Sequence, residues 1–294
     1  PEKPRAGVVG LGQMGAGIAR NLDKSGMLSC AFDLRPEVFS QIGFSDAVKE
    51  IPLGEMYLHC ELILFAVPST NDIKDTIEGA NKLQGKILID LTTSDPQESA
   101  ALATKLANDG VHFLDAAMTG GAAGADAGNL TLMIGGKDEV VNACEPVLRV
   151  ISKNRFHLGS AGSGHAMKLI HNMILHTNFL ANCEGLQLAR KAGIDLGEAV
   201  AVLNAGNARS FVSEVRFPRD ILNGSMNGRS KISNLEKDLG LAVEFAERSG
   251  AMTPFGTLTR DVLGEAVEGG QGDRDFTHLF PEYEVLINQL GRNR

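Results

Sequence analysis

Short, continuous apolar runs alternate with stretches of helical spacing through the first half of this chain. Ala6-Gly-Val-Val-Gly10, Leu28–Phe32, Leu62–Val67, Lys86–Leu91, Val111–Asp115 and Thr131–Ile134 are such runs. They have the length and β-branched content of strands buried on both faces. Between them, Ile18 and Leu22 recur at helical spacing, and Asp95-Pro96 reads as a helix start. Strands alternating with helices predict a mostly parallel sheet, with any ligand at the strands' carboxyl ends.

The pattern changes across Gly159-Ser-Ala-Gly162-Ser-Gly164. From there to the C-terminus only helical periodicity is expected, beginning with a helix from His165 to about Arg190. Met167, Leu169, Ile170, Met173, Ile174, Leu175, Phe179, Leu180, Cys183, Leu186 and Leu188 make it apolar nearly all round, which predicts burial on most sides. Its roughly 26 residues, at about 1.5 Å each, are long enough to cross a domain and reach a partner subunit. The expected organisation is therefore two domains: residues 1–162, an α/β domain, and residues 163–294, an all-helical domain. Leu235–Val243 continues as helix, while the polar, glycine-punctuated segments 204–217 and 269–280 are candidates for the lip of a cleft.

The first strand runs into Gly10-Leu11-Gly12-Gln13-Met14-Gly15 and then a helix. Strand, G-x-G-x-x-G, helix is the dinucleotide fingerprint of a Rossmann-type, doubly wound sheet. Gly10 allows a tight turn, Gly12 admits a pyrophosphate, and Gly15 lets helix pack on strand; the helix N-terminus offers N–H groups to the phosphates. Asp33 ends the second strand at about the expected spacing of 20 residues, where a carboxylate accepts hydrogen bonds from the adenosine ribose and repels a 2′-phosphate. That favours NAD, with NADP kept open by Arg35 two residues on. At another strand end, Thr119-Gly120-Gly121 presents a hydroxyl and two backbone amides, which suits a substrate carboxylate; a flexible glycine turn is the competing reading.

Lys168 and Asn172 lie one above the other on the long helix, with His165 on the same side. A lysine on a largely apolar helix beside a glycine joint is a candidate for proton transfer. Burial and a nearby nicotinamide cation both disfavour its ammonium and push it toward neutral pH. His171 reads equally as a packing residue or a ligand. Lys237, taken alone, reads as part of a solvated face.

Composition narrows the setting. Hydrophobic residues make up 43% and charged residues 22% of 294 positions, with a formal charge of −8 spread without long runs. A packed core follows, and a nucleic-acid or anionic-membrane surface is not expected. No run is long and apolar enough for a bilayer span, and no signal peptide is read at Pro1, although the start without methionine suggests trimming. The four cysteines, Cys30, Cys60, Cys144 and Cys183, show no metal spacing. They predict free thiols in a reducing compartment, the cytoplasm by default.

Together these motifs resemble the β-hydroxyacid dehydrogenase family, over nearly the whole chain. The resemblance is carried by Gly10–Gly15, by Asp115–Gly121, by the Gly162-Ser-Gly-His-Ala-Met-Lys168-Leu-Ile-His-Asn172 segment and by Lys237-Asp238-Leu239. It implies reversible NAD(P)-dependent oxidation of a small β-hydroxyacid to its semialdehyde or ketone. It further implies Lys168 as general acid/base and Asn172 as a substrate-orienting residue. Thr119, Gly120 and Gly121 match the substrate loop. Val67, Pro68, Thr93 and Lys237 match positions lining the cofactor or closed cleft, against the solvated reading of Lys237. The implied partners are a small anionic hydroxyacid or semialdehyde and further copies of the chain, as homodimer or homotetramer. Two departures stand out. Ala117, Met118 and Thr119 replace the family's Pro-Val-Ser, which alters the pocket, and His171-Asn172 replaces the usual pair of asparagines. Rival readings are an imine reductase, whose proton donor at the lysine position is commonly aspartate or tyrosine, and a non-catalytic dinucleotide-binding protein. Lys168 speaks against the first, and retained Lys168 with Asn172 against the second.

Overall fold

The structure is a computed structural model that describes residues 3–78 and 82–293. The chain divides into two compact units, one extending to Lys168 and one beginning at Leu169.

The first unit alternates strand and helix: β1 (Ala6–Val9), α1 (Gln13–Lys24), β2 (Leu28–Phe32), α2 (Pro36–Ile42), β3 (Lys49–Glu50), α3 (Leu53–His59), β4 (Leu62–Phe65), α4 (Thr70–Ile77), β5 (Ile87–Asp90) and α5 (Pro96–Asn108). It continues with β6 (His112–Thr119), α6 (Gly121–Ala127), β7 (Leu130–Gly135), α7 (Asp138–Ile151) and β8 (Ser152–Gly159). The strands form one sheet in the order β3-β2-β1-β4-β5-β6-β7-β8. β1 to β6 are parallel, β7 runs antiparallel to β6, and β8 is parallel to β7. This is the α/β doubly wound Rossmann-type sheet that the alternation predicts.

Side chains leave the sheet with a period of two. On β4, Leu62 and Leu64 join Ile18 and Leu22 of α1 and Val147 and Leu148 of α7, whereas Ile63 and Phe65 join Met56 and Tyr57 of α3, Ile73 of α4 and Leu102 of α5. Helices therefore cover both faces, and each fully buried leucine or phenylalanine contributes about 1.5–3 kcal/mol. The four cysteines are buried free thiols.

Two strands were absent from the sequence reading. β3 is only two residues long. β8 is an edge strand, exposed along most of its length, so Phe156 and Leu158 alternate with polar residues without either face being core. Its last residue is Gly159, and the glycine joint is thus partly a strand end.

The second unit is helical. α8 (Ser163–Lys191) enters it from the first and is followed by α9 (Leu196–Ala205), a π-helical segment (Val212–Leu222), α10 (Ile232–Arg248), α11 (Pro254–Ala266) and α12 (Leu279–Asn293). Pro218, inside the π-helical segment, has no N–H to give to a regular ladder. Phe179 of α8 meets Phe276 edge-on at 4.9 Å, and Phe217 meets Phe280 at 5.1 Å. Arg216, within the 204–217 segment expected at the lip of a cleft, stacks near Phe211 and Phe276 and donates to Asp220 and the Gly228 carbonyl, a structural engagement inside this unit.

Expected burial of α8 on most sides needs correcting. Leu169, Phe179, Cys183 and Leu186 are buried, but Ile170, Ile174 and Leu188 follow one another along an exposed stripe, Leu188 at 68%. Apolar periodicity reports that a face avoids water; it does not say whether the chain itself covers that face.

Candidate active site

The sheet order reverses direction between β2-β1 and β4-β5, which opens a crevice at the carboxyl ends of β1 and β4. Each glycine of the β1–α1 turn answers to a different constraint. Gly10 sits at φ +89°, and a Cβ there would lie 2.4 Å from the Ala66 carbonyl oxygen beyond β4. A Cβ on Gly15 would lie 1.8 Å from the Gly10 carbonyl oxygen. Both are required by the protein's own packing. Gly12 is not: its φ is an ordinary −67°, and a Cβ would meet nothing within 4 Å. As the N-cap of α1 it also supplies no side-chain acceptor to the first turn. Space and unclaimed N–H groups at a helix start fit a dinucleotide pyrophosphate.

Along the same edge, Asp33 follows β2. Its Oδ2 accepts the Leu11 N–H at 2.8 Å, and its Oδ1 accepts the Arg35 N–H at 2.9 Å and the Arg35 guanidinium at 3.2 Å. Burial would raise this carboxyl. The two backbone N–H groups and the Arg35 charge outweigh it and hold the group below the ordinary aspartate range. Asp33 thus ties the second strand end to the fingerprint itself. Half-buried Val67 and exposed Pro68 follow β4, and half-buried Thr93 follows β5.

Thr119 is the last residue of β6, paired in register with Thr131, and Gly120 (φ +128°) and Gly121 (φ +66°) turn the chain straight into α6. The loop is braced from behind. α6 packs against α1 so closely that a Cβ on Gly17 would lie 2.8 Å from the Asp126 nitrogen. Asn21 Nδ2 donates to the Gly17, Ala125 and Asp126 carbonyls, and Arg20 pairs with Asp126. The helix of the fingerprint and the helix behind Thr119–Gly121 are one interlocked element.

Lys168 closes the first unit, on the second turn of α8, and is 9% exposed. His165, one turn earlier, is fully buried with Nδ1 2.6 Å from Ser99 Oγ. On the next turn, inside the second unit, buried Asn172 donates from Nδ2 to Asp238 Oδ2 at 2.7 Å, and His171 Nδ1 lies 2.9 Å from its Oδ1. Asp238 in turn lies 3.6 Å from Lys237 Nζ. The second unit thus links Asn172, Asp238 and Lys237 across α8 and α10, and His171 braces the Asn172 amide.

Sequence reasoning quoted Asp238 only as part of a motif. Its adjacency to Lys237 was the available signal; its bond to Asn172, 66 residues away, was not visible. Among the described residues, no group of three or more His, Cys, Asp or Glu side chains is placed to hold a metal ion.

Two family models match in tandem. One, described as the NAD binding domain of 6-phosphogluconate dehydrogenase, matches residues 5–159. The other, described as NAD-binding of NADP-dependent 3-hydroxyisobutyrate dehydrogenase, matches residues 162–283. Among characterised relatives, the mitochondrial 3-hydroxyisobutyrate dehydrogenase of Drosophila melanogaster is 31% identical, covering 93% of this chain and 87% of its own. L-threonate dehydrogenase of Cupriavidus necator is also 31% identical, covering 95% and 97%. Among solved structures, the 3-hydroxyisobutyrate dehydrogenase of Mycobacterium tuberculosis with L-serine shares the fold at TM-score 0.87 and 24% identity, over 96% of this chain and 99% of that one. Imine reductases, such as that of Myxococcus stipitatus at 18% identity and TM-score 0.63 over 94% of this chain and 98% of that one, are more distant neighbours in fold.

Proposed function

Because this chain belongs to the β-hydroxyacid dehydrogenase family of NAD(P)-dependent oxidoreductases acting on CH–OH groups, we propose that Lys168 is the proton-transfer group of a reversible oxidation of a small β-hydroxyacid. The supporting observation is a lysine only 9% exposed on a helix whose first turn is bonded to Asp115 of β6 and Ser99 of α5. In this reading the residues to 162 bind the dinucleotide and those from 163 complete the substrate and dimerisation domain.

Gly10, Leu11, Gly12, Gln13, Met14 and Gly15 hold the pyrophosphate, Asp33 the adenosine ribose, and Val67, Pro68, Thr93 and Lys237 the rest of the cofactor. A nicotinamide bound there would supply the hydride acceptor in oxidation and the hydride donor in reduction. Thr119, Gly120 and Gly121 take the substrate carboxylate, and Asn172 orients the substrate beside Lys168. In oxidation Lys168 Nζ receives the hydroxyl proton as the carbonyl forms; in reduction it returns that proton to the carbonyl oxygen. An oxidation panel of β-hydroxyacids, with the matching semialdehydes for reduction, tests the reading. Turnover of at least one carboxylate substrate is expected; turnover of cyclic imines alone would replace it with the imine reductase reading.

Asp33 supports NAD over NADP. Its carboxyl is held ionised through the neutral range, so a 2′-phosphate meets a fixed negative charge at any working pH. Asp33→Ser removes that charge and releases Arg35 from its pairing. The expected result is a rise of about tenfold or more in the NADP to NAD ratio of kcat/KM, from loss of one charge-assisted bond of about 1.5–3 kcal/mol. Initial rates with both cofactors measure it; an unaltered enzyme faster with NADP overturns the assignment.

The exposed stripe of Ile170, Ile174 and Leu188 on α8 supports assembly as a homodimer or homotetramer, which light scattering of the eluting protein would measure. Free buried thiols support a reducing compartment, the cytoplasm in this reading, although the Drosophila relative is mitochondrial. No described helix is long and apolar enough to cross a membrane.

A further inference from the structure

α8 begins without a cap of its own. Gly162 accepts the first intrahelical bond, from Ala166 N–H, and so holds the N-cap position, but it has no side chain to serve the orphan donors. In an ordinary capping box, two local side chains divide that work: the N-cap residue serves the N–H three positions on, and that residue's side chain serves the N-cap N–H. Here one carboxylate from another strand does both. Asp115 Oδ1 accepts the Gly162 N–H at 2.7 Å and Oδ2 accepts the His165 N–H at 2.9 Å, with Asp115 fully buried.

The neighbouring strand places a carboxylate beside the same turn without bonding it. Asp90 stands in register with Asp115 across β5 and β6. It accepts Thr70 Oγ1 at 2.8 Å and both the N–H and hydroxyl of Thr92, and its Oδ1 lies 3.7 Å from His165 Nε2. The other imidazole nitrogen meets Ser99 of α5. Glycines clear the space. A Cβ on Gly135, the register partner of Asp115 on β7, would lie 2.5 Å from Asp115 Oδ1. A Cβ on Gly164 would lie 2.3 Å from the Met133 carbonyl oxygen, and one on Gly162 would lie 2.4 Å from that of Pro96. The first turn of α8 is therefore seated against β6, β7 and α5, with no room for a methyl group at any of these three points.

Lys168 is three residues beyond His165, about 4.5 Å further along the axis. The height and rotation of its stem follow from that seat. The geometry points to Asp115 as a positioning residue for Lys168: its carboxylate, supplied from β6 in place of a local cap, fixes where the amine stands. Ser99, through His165, is its second support. This rests on the reading of Lys168 as the proton-transfer group.

The test uses the full-length enzyme with its best hydroxyacid. Asp115→Asn keeps the shape but can no longer accept at both positions. Turnover should fall about 10- to 100-fold, as expected for a reacting group displaced by a fraction of an ångström to 1 Å. The Kd for NADH should stay within about twofold, because the fingerprint turn is untouched. In a Lys168→Ala background, Asp115→Asn should cost nothing further, since there is no amine left to position. If Asp115→Asn does not fold, Ser99→Ala, which removes one hydroxyl, takes its place with an expected loss of about 3- to 10-fold and the same silence beside Lys168→Ala. Unchanged turnover in the variant tested, a loss that multiplies onto that of Lys168→Ala, or NADH affinity lost in parallel would each overturn the positioning role. Near-normal turnover of Lys168→Ala alone would overturn the reading of the lysine, and this proposal with it.

Discussion

Lys168→Ala is expected to bind NADH with ordinary affinity and to turn over about 10²–10⁴-fold more slowly, the range that a positioned general acid or base contributes. The two halves of this result come from different parts of the chain. Dinucleotide affinity is assigned to the β1–α1 turn and Asp33, which bond to each other and to Arg35. Proton transfer depends on one amine, and no other lysine shares its first turns of α8. The loss should appear in kcat in both directions, since the same group receives the proton in oxidation and returns it in reduction. Stopped-flow absorbance of NADH separates hydride transfer from product release, and fluorescence of bound NADH reads affinity. Turnover within about threefold of the unaltered enzyme would end the assignment, because no general acid–base contribution is that small.

The second large effect separates two glycines of one motif. Gly15→Ala places a Cβ against the Gly10 carbonyl at a distance no packed structure tolerates. The turn must open, and a cost of about 1–3 kcal/mol or more is expected for such overpacking, read as a lower Tm together with weaker NADH binding. The Cβ of Gly12→Val has no atom within 4 Å beyond its chain neighbours, and the position asks for no unusual φ. Its stability cost is confined to that of a poor N-cap, about 1 kcal/mol at most, yet it fills the space claimed for the pyrophosphate. NADH affinity should fall about 100-fold or more with Tm nearly unchanged, as when a few ångströms of backbone approach are blocked at a helix N-terminus. A Gly12→Val enzyme that binds NADH normally would show that the open space above Gly12 is not the cofactor's.

The contrast between these glycines also marks what can be read from a sequence. The runs at Ala6, Leu28, Leu62, Lys86, Val111 and Thr131 declare themselves because strands covered on both faces must be apolar throughout. β8 does not, because an edge strand is under no such constraint. The fingerprint and Asp33 lie within one βαβ unit, so their spacing is a local signal. Asp115 gives none as a helix cap: it stands 47 residues before the amide it serves, and in the linear sequence α8 opens on glycine and serine. His165 is legible as a residue on the Lys168 side of the helix, but its Ser99 and Asp90 neighbours arise only when α5 and β5 close around it. The exposed stripe on α8 reads as core for the converse reason, since an exposed apolar face has the same composition as one buried within the chain.

The interlock of α1 with α6 bears on how such an enzyme acquires a new substrate. In the proposed reading the Thr119–Gly121 loop is the natural place to vary, yet the segment behind it fits Gly17, Arg20 and Asn21 at the level of single atoms. A loop transplanted alone would arrive with the wrong counter-surface and would disturb the helix that receives the cofactor. Residues 13–24 and 119–128 form one packed unit, and in the proposed reading diversification of the pocket is expected to proceed by paired changes on the two helices.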